Sequence, residues 1–304
     1  MLPALARGVY ALFQESIESW MDDYAPSMGA ALSYYTLFSI APLLLIAVGL
    51  AGLVFGPDAA RGEIFGQLRE LMGDQGASAI QRLLASADRP EGGIIATVTG
   101  SAMLVLGAMS VFGELQNALD RIWRAPARKQ SAGWWNLVRS RLLSFGMILG
   151  IAFLLMVSLV VSAVLSALGR FWGPVFHDWE AAAHLIDIGV SFTLVTVLFA
   201  LIYKFIPRVR IAWRDVWVGA AVTSALFAVG KFLIGLYLGK SSVASAFGAA
   251  GSLVVMMVWV YYSAQIFLLG AEFTRVFAHT YGSRRGEGRR RAEDPQALAA
   301  GAVR

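Results

Sequence analysis

Apolar residues run through this chain in long blocks rather than alternating with polar ones. Six blocks stand out, at about 29–56, 94–113, 142–169, 184–205, 216–239 and 250–273. Each is close to or longer than the roughly 20 residues that carry a helix across a bilayer core. The predicted architecture is therefore all-α, a polytopic membrane protein with six transmembrane helices. The first block, GAALSYYTLFSIAPLLLIAVGLAGLVFG, has no charged residue over its whole length. It exceeds a ~30 Å hydrocarbon layer at ~1.5 Å per residue, so it must tilt, bend or extend beyond the interface. Pro42 removes a backbone donor and is the expected hinge. Before it stand Ser33, Tyr34, Tyr35, Thr36 and Ser39, which are expected to face other helices or a cavity because bare hydroxyls are costly in lipid.

Helical periodicity predicts what lies between the blocks. In the N-terminal segment, 1–28, Leu5, Val9, Leu12, Phe13, Ile17 and Trp20 recur at helical spacing opposite Glu15, Glu18 and Asp22. This reads as an amphipathic helix lying in the interface, anchored by Trp20. It lacks the basic start and short apolar core of a cleavable signal peptide. Over 57–93 two apolar stripes, Ile64/Leu68/Leu71 and Ile80/Leu83/Leu84, are punctuated by Gly73 and Gly76. They predict a small outer loop of two amphipathic helices packed on the membrane domain. The second span is expected to continue helically through GELQNALDRIW, and Gly146 and Gly150 in the third have a spacing that lets helices pack closely. Residues 281–304 form a basic, polar tail expected to be disordered.

Charge sets the orientation. Of the 25 Lys and Arg residues, 18 fall on one side: Arg7, the six between spans two and three, the four between spans four and five, and the seven from Arg275 onward. Six fall on the other side, and Lys231 lies inside a span. The positive-inside rule then places both termini in the cytoplasm and the 57–93 loop outside. The net charge of +5 is explained by this asymmetry, without a nucleic-acid partner. With no cysteine, disulfides, thiolate metal sites and Cys nucleophiles are excluded. His177, His184 and His279 are too scattered to suggest a metal cluster.

The candidate functional residues are the polar groups inside spans. Lys231 lies in AVTSALFAVGKFLIGLYLG, and an intramembrane lysine is either functional or snorkels to the interface on its long stem. Thr223 and Ser224 on the same helix favour an inward orientation, and Asp187 in the outer half of span four is the best candidate partner. In span six, Tyr262, Gln265, Leu269 and Glu272 share one face. Gln265, near mid-membrane, needs partners for its amide, most simply on a neighbouring helix. Tyr34, Tyr35, Thr36, Lys231, Gln265 and Asp187 thus make a candidate substrate path. Glu114, Asn117 and Glu272 make a candidate cytoplasmic mouth, and Pro42, Gly248 and Gly251 are candidate hinges. There is no nucleophile elbow, HExxH, phosphate-binding loop or paired-aspartate metal motif. No catalytic residue, metal or cofactor is expected, and the chain is not expected to be an enzyme.

Three stretches, AALSYYTLFSIAPLLL at 30–45, LQNALDRIW at 115–123, and Lys231 through FGAAGSLVVMMVWVYYSAQIFLLGAEF at 247–273, resemble the YihY/BrkB family of bacterial inner-membrane proteins. The likeness runs in register from about 20 to 280. Phe247 departs from it, standing where a tyrosine is expected before Gly248-Ala249. The resemblance implies an all-helical polytopic inner-membrane protein. Some family members carried a tRNA-processing ribonuclease label, which these scattered carboxylates do not support. Others are associated with the envelope and serum resistance, which implies envelope lipid or export work. Two functions follow as expectations: a transporter, exporter or lipid translocase acting on an anionic lipid or small solute, or a non-transporting scaffold for envelope assembly. A ribonuclease is a distant third.

Overall fold

The computed structural model describes residues 2–87, 110–126, 179–240, 247 and 250–285. The predicted third span, most of the second, the end of the 57–93 loop, Gly248 and the tail beyond 285 lie outside the described residues. Among those described, every regular element is a helix: α1 (Leu2–Asp22), α2 (Ala25–Phe55), α3 (Pro57–Ala87), α4 (residues 110–122), α5 (Trp179–Phe205), α6 (Trp213–Lys240) and α7 (Gly251–Thr280). Three stretches are long and apolar enough to cross a membrane: Ile188–Phe205, Trp213–Lys240 and Gly251–Thr280. These fall on the predicted spans four, five and six. The helix α2 covers the predicted first span and runs unbroken through Pro42.

The chain forms two compact units. The first holds Met1–Ile17, Leu119–Ala225 and Gly270–Arg304; the second holds Glu18–Ala118 and Leu226–Leu269. Long helices contribute to both, so a unit here is a cluster of helix segments.

In the first unit the decisive feature is how α6 meets α7. A Cβ placed on Gly219 would come within 1.8 Å of Thr274 Oγ1, and one on Gly270 within 2.0 Å of Thr223 Oγ1. The pairing is reciprocal and antiparallel: Gly219 and Thr223 on α6 meet Thr274 and Gly270 on α7. Each threonine donates to the glycine carbonyl four residues back in its own helix, both at 2.7 Å. Those bonds satisfy both hydroxyls in a dry interface, and glycine alone lets the backbones approach this far. Tyr203 on α5 closes the crossing at 3.1 Å from Thr223 Oγ1. The threonine proton is already committed to Gly219, so the tyrosine donates. Against α6 and α7 also pack Leu12 and Phe13 of α1, which share one apolar cluster with Phe273, Val276, Phe277, Val218 and Val222.

The second unit has its core where α2, α3, α6 and α7 meet. Ile80 and Met256 are fully buried among Leu37, Ile40, Phe65, Leu68, Trp259 and Val260. Ala79 joins Ile234, Leu238 and Val255 next to them. Helix α3 is two helical stretches joined at Gly73, whose φ of 72° and ψ of 175° interrupt the helix. The left-handed φ is cheap for glycine and strained for other residues. Arg69 and Asp74 bridge the break at 2.9 Å, but both are largely exposed and the pair adds little.

Gly219→Ala and Gly270→Ala are each expected to cost about 1–3 kcal/mol through overpacking. Gly62→Ala on α3, where nothing lies within 4 Å, should be neutral or slightly stabilising. Thermal unfolding of the three variants in detergent checks the contrast.

Candidate functional site

The candidate site is built on α7, whose polar face the sequence placed at Tyr262, Gln265 and Glu272. In the second unit, Gln265 points its amide at the backbone of α2. A Cβ on Gly29 would lie 2.0 Å from its Nε2. Both amide atoms are shielded from solvent, and neither has a hydrogen-bond partner among the described residues. An amide kept dry without partners costs on the order of 1–3 kcal/mol. Three residues earlier, Tyr262 packs against α6, where a Cβ on Gly230 would meet its ring at 3.2 Å and its hydroxyl at 3.3 Å. Lys231, half-buried, is the next residue along α6. Gln265, Tyr262, Gly230 and Gly29 therefore bring α2, α6 and α7 to one place.

The polar run on α2 divides between two faces. Ser33 and Ser39 are buried, and Ser39 donates to the Thr36 carbonyl at 3.2 Å. Tyr34 and Tyr35 are exposed and form an edge-to-face ladder with Phe38, at centroid distances of 5.5 and 5.0 Å. Thr36 is half-buried between the faces. Tyr34, Tyr35, Thr36, Lys231 and Gln265, widely separated in sequence, all belong to the second unit.

The other candidates are distributed differently. Asp187 lies on α5 in the first unit, and its side chain is outside the described residues. Glu114, half-buried, and Asn117, exposed, lie on α4 in the second unit. Glu272 belongs to the first unit and is completely buried, gripped through Oε2 by Arg275 Nε and Nη2, both at 2.9 Å. A buried carboxylate held by a fork of this kind is a fixed ion pair, in keeping with a structural part. Gly251 is buried at the start of α7. Among the described residues, no group of three or more His, Asp or Glu is placed to hold a metal ion.

Two groups escaped the sequence reading. The Gly219/Thr223 and Gly270/Thr274 spacings are identical in the two helices, a repeat visible in the sequence once the helices are paired. Asp215, fully buried in the first turn of α6, receives Ser283 N at 3.1 Å and Ser283 Oγ at 2.6 Å. Arg284 then donates to the Arg210 carbonyl at 2.9 Å and lies 5.6 Å from the Trp123 ring. These contacts tie the end of α7 to the start of α6 and could not be inferred from Asp215 or Ser283 alone.

Apolar helices of membrane-crossing length and polar groups gathered inside them define an integral membrane protein. A family model described as "Virulence factor BrkB" matches residues 16–295, and the chain belongs to this family. A UPF0761 membrane protein of Alkalilimnicola ehrlichii is 26% identical over 86% of this chain and 57% of its own length. Another, of Ralstonia nicotianae, is 27% identical over 82% of this chain and 55% of its own. A third, of Albidiferax ferrireducens, reaches 31% over 57% of this chain and 39% of its own. The chain spans little more than half the length of the first two. No solved structure matches.

Arg275→Met is expected to lower stability by about 3–5 kcal/mol, because it takes the guanidinium fork away from the buried Glu272 carboxylate. Adding Glu272→Leu should restore most of that loss. Thermal unfolding of the single and double variants measures both.

Proposed function

We propose that this protein moves an anionic amphiphile, a lipid or small solute, across the bacterial inner membrane as part of envelope maintenance. It does so by binding and conformational change, without bond chemistry. The observation that carries the proposal is the convergence at Gln265: a buried amide with no hydrogen-bond partner among the described residues, set where α2, α6 and α7 meet and one helical turn from Tyr262, which contacts the residue preceding Lys231. An amide held dry and unsatisfied is costly, and a passing polar headgroup would satisfy it. Lys231 supplies a point charge for an anion. Tyr34, Tyr35 and Thr36 line the approach, and Glu114 and Asn117 stand at the cytoplasmic mouth. Pro42 and Gly251 provide the bends. The 18-to-6 distribution of basic residues favours both termini in the cytoplasm. A family described as a virulence factor is in keeping with work at the envelope.

A scaffold remains the second reading, favoured by the exposed Arg61, Arg69, Asp74 and Arg82 on α3. Ile80 and Phe65 of the same helix belong to the unit's core. Deleting 59–88 would therefore damage the fold as well as the surface, and charge reversal at the exposed residues is the cleaner probe.

The test is translocation of headgroup-labelled anionic lipid in proteoliposomes of the full chain. Wild-type protein should move the label; Lys231→Met and Gln265→Leu should lose at least about tenfold in rate while remaining folded, as expected for loss of a substrate interaction worth ~1.4 kcal/mol. Movement unchanged in both variants would overturn the assignment of the path. No movement by any protein, with an envelope phenotype removed by charge reversal on α3, would favour the scaffold.

A further inference from the structure

A second surface lies in the first unit, where α5 ends and α6 begins. Span Ile188–Phe205 ends and span Trp213–Lys240 begins on either side of the short connection 206–212. Three large aromatics sit at these two ends, and all are exposed: Phe205 at 48%, Trp213 at 43% and Trp217 at 44%. They form one continuous surface, Phe205 edge-on to Trp213 at 6.0 Å and Trp213 beside Trp217 at 6.4 Å. Exposed tryptophans at the end of a span sit at the headgroup level, where an apolar ring and a polar N–H both find matching surroundings.

The cations are at the same place. Lys204 Nζ lies 5.2 Å from the Trp213 centroid and donates to the Ile211 carbonyl, so its charge is fixed over the indole. Arg210 and Arg214, on either side of Trp213 in sequence, are exposed. The nearby acids are engaged elsewhere: Asp215 is buried and holds Ser283, and Asp120 holds Arg208. Three positive charges thus flank an exposed aromatic surface at the membrane boundary, and among the described residues none of the three is paired with an acid.

We infer that Lys204, Arg210, Arg214, Trp213, Trp217 and Phe205 form a binding surface for an anionic phospholipid of the adjacent leaflet. The aromatics take the glycerol and upper acyl region, and the three cations take the phosphate. The partner is a bilayer lipid rather than a free anion, because half the surface is apolar. The inference does not depend on transport, since this surface belongs to the first unit and the Gln265 cluster to the second.

The experiment is quenching of tryptophan fluorescence by acyl-brominated lipids, with the full chain in nanodiscs of phosphatidylcholine containing increasing phosphatidylglycerol. Brominated phosphatidylglycerol should quench wild-type protein at a lower mole fraction than brominated phosphatidylcholine, and Trp213→Phe/Trp217→Phe should lose that preferential component. Arg210→Gln/Arg214→Gln should reduce the preference by about tenfold or more, since each basic residue near the surface contributes ~1 kcal/mol. Lys240→Gln, at the opposite end of α6, should leave it unchanged. Inorganic phosphate should not compete. Equal quenching by both lipids, or an equal loss in Lys240→Gln, would overturn the inference, as would competition by phosphate.

Discussion

The structure depends on how closely two helix backbones can approach in an environment that offers no hydrophobic drive for them to do so. Lipid tails solvate leucine as well as another helix does, so association rests on packing and buried hydrogen bonds. At the crossing of α6 and α7 the chain supplies both. Gly219 and Gly270 remove the side chains that would hold the backbones apart, and Thr274 and Thr223 fill the space gained. Each of the two threonine hydroxyls is satisfied within its own helix, so both enter the interface without an unmet donor. Tyr203 adds the third helix through a donated bond to Thr223. The same device recurs in the second unit, where Gly230 admits Tyr262 and Gly29 admits Gln265.

The contrast between threonine and glutamine gives Gln265 its significance. A threonine in a helix can bond to the carbonyl one turn back, as Thr193, Thr196, Thr223, Thr274 and Thr280 all do. A glutamine amide has two donors and an acceptor at the end of a long stem, and needs partners beyond its own helix. Gln265 has been brought against α2 at a glycine, yet its amide makes no hydrogen bond among the described residues. A purely structural glutamine in this position would be better replaced by leucine. That imbalance is the physical basis for assigning it a passing ligand.

Much of the architecture was legible because the signals are long and local. Apolar blocks of twenty residues or more located α5, α6 and α7, and helical periodicity anticipated α1. Membership of the BrkB family was legible from three stretches in register. The side-chain arrangement was less accessible, because it depends on which helix faces which. The polar run before Pro42 read as one inward cluster, whereas it divides, with Ser33 and Ser39 buried and Tyr34 and Tyr35 exposed. Glu272 read as part of a cytoplasmic mouth with Glu114 and Asn117, yet it is completely buried against Arg275 and belongs to the other unit. The Asp215–Ser283 contact joins residues 68 positions apart and carries no local pattern at all.

The central claim is that the place where α2, α6 and α7 meet, closed to solvent in this structure, opens to a polar ligand when the protein changes conformation. The chain has no cysteine, so single cysteines can be introduced without a background. The most direct measurement is the rate at which a membrane-impermeant thiol reagent labels cysteines at positions 35, 36, 262 and 265 in sealed vesicles, with position 233, an exposed leucine on α6, as the lipid-facing control. The account predicts labelling at the first four, slowed by an anionic amphiphile, and none at the control. Protection of all four regardless of ligand would mean that the cluster is sealed packing, and the transport assignment would fall with it.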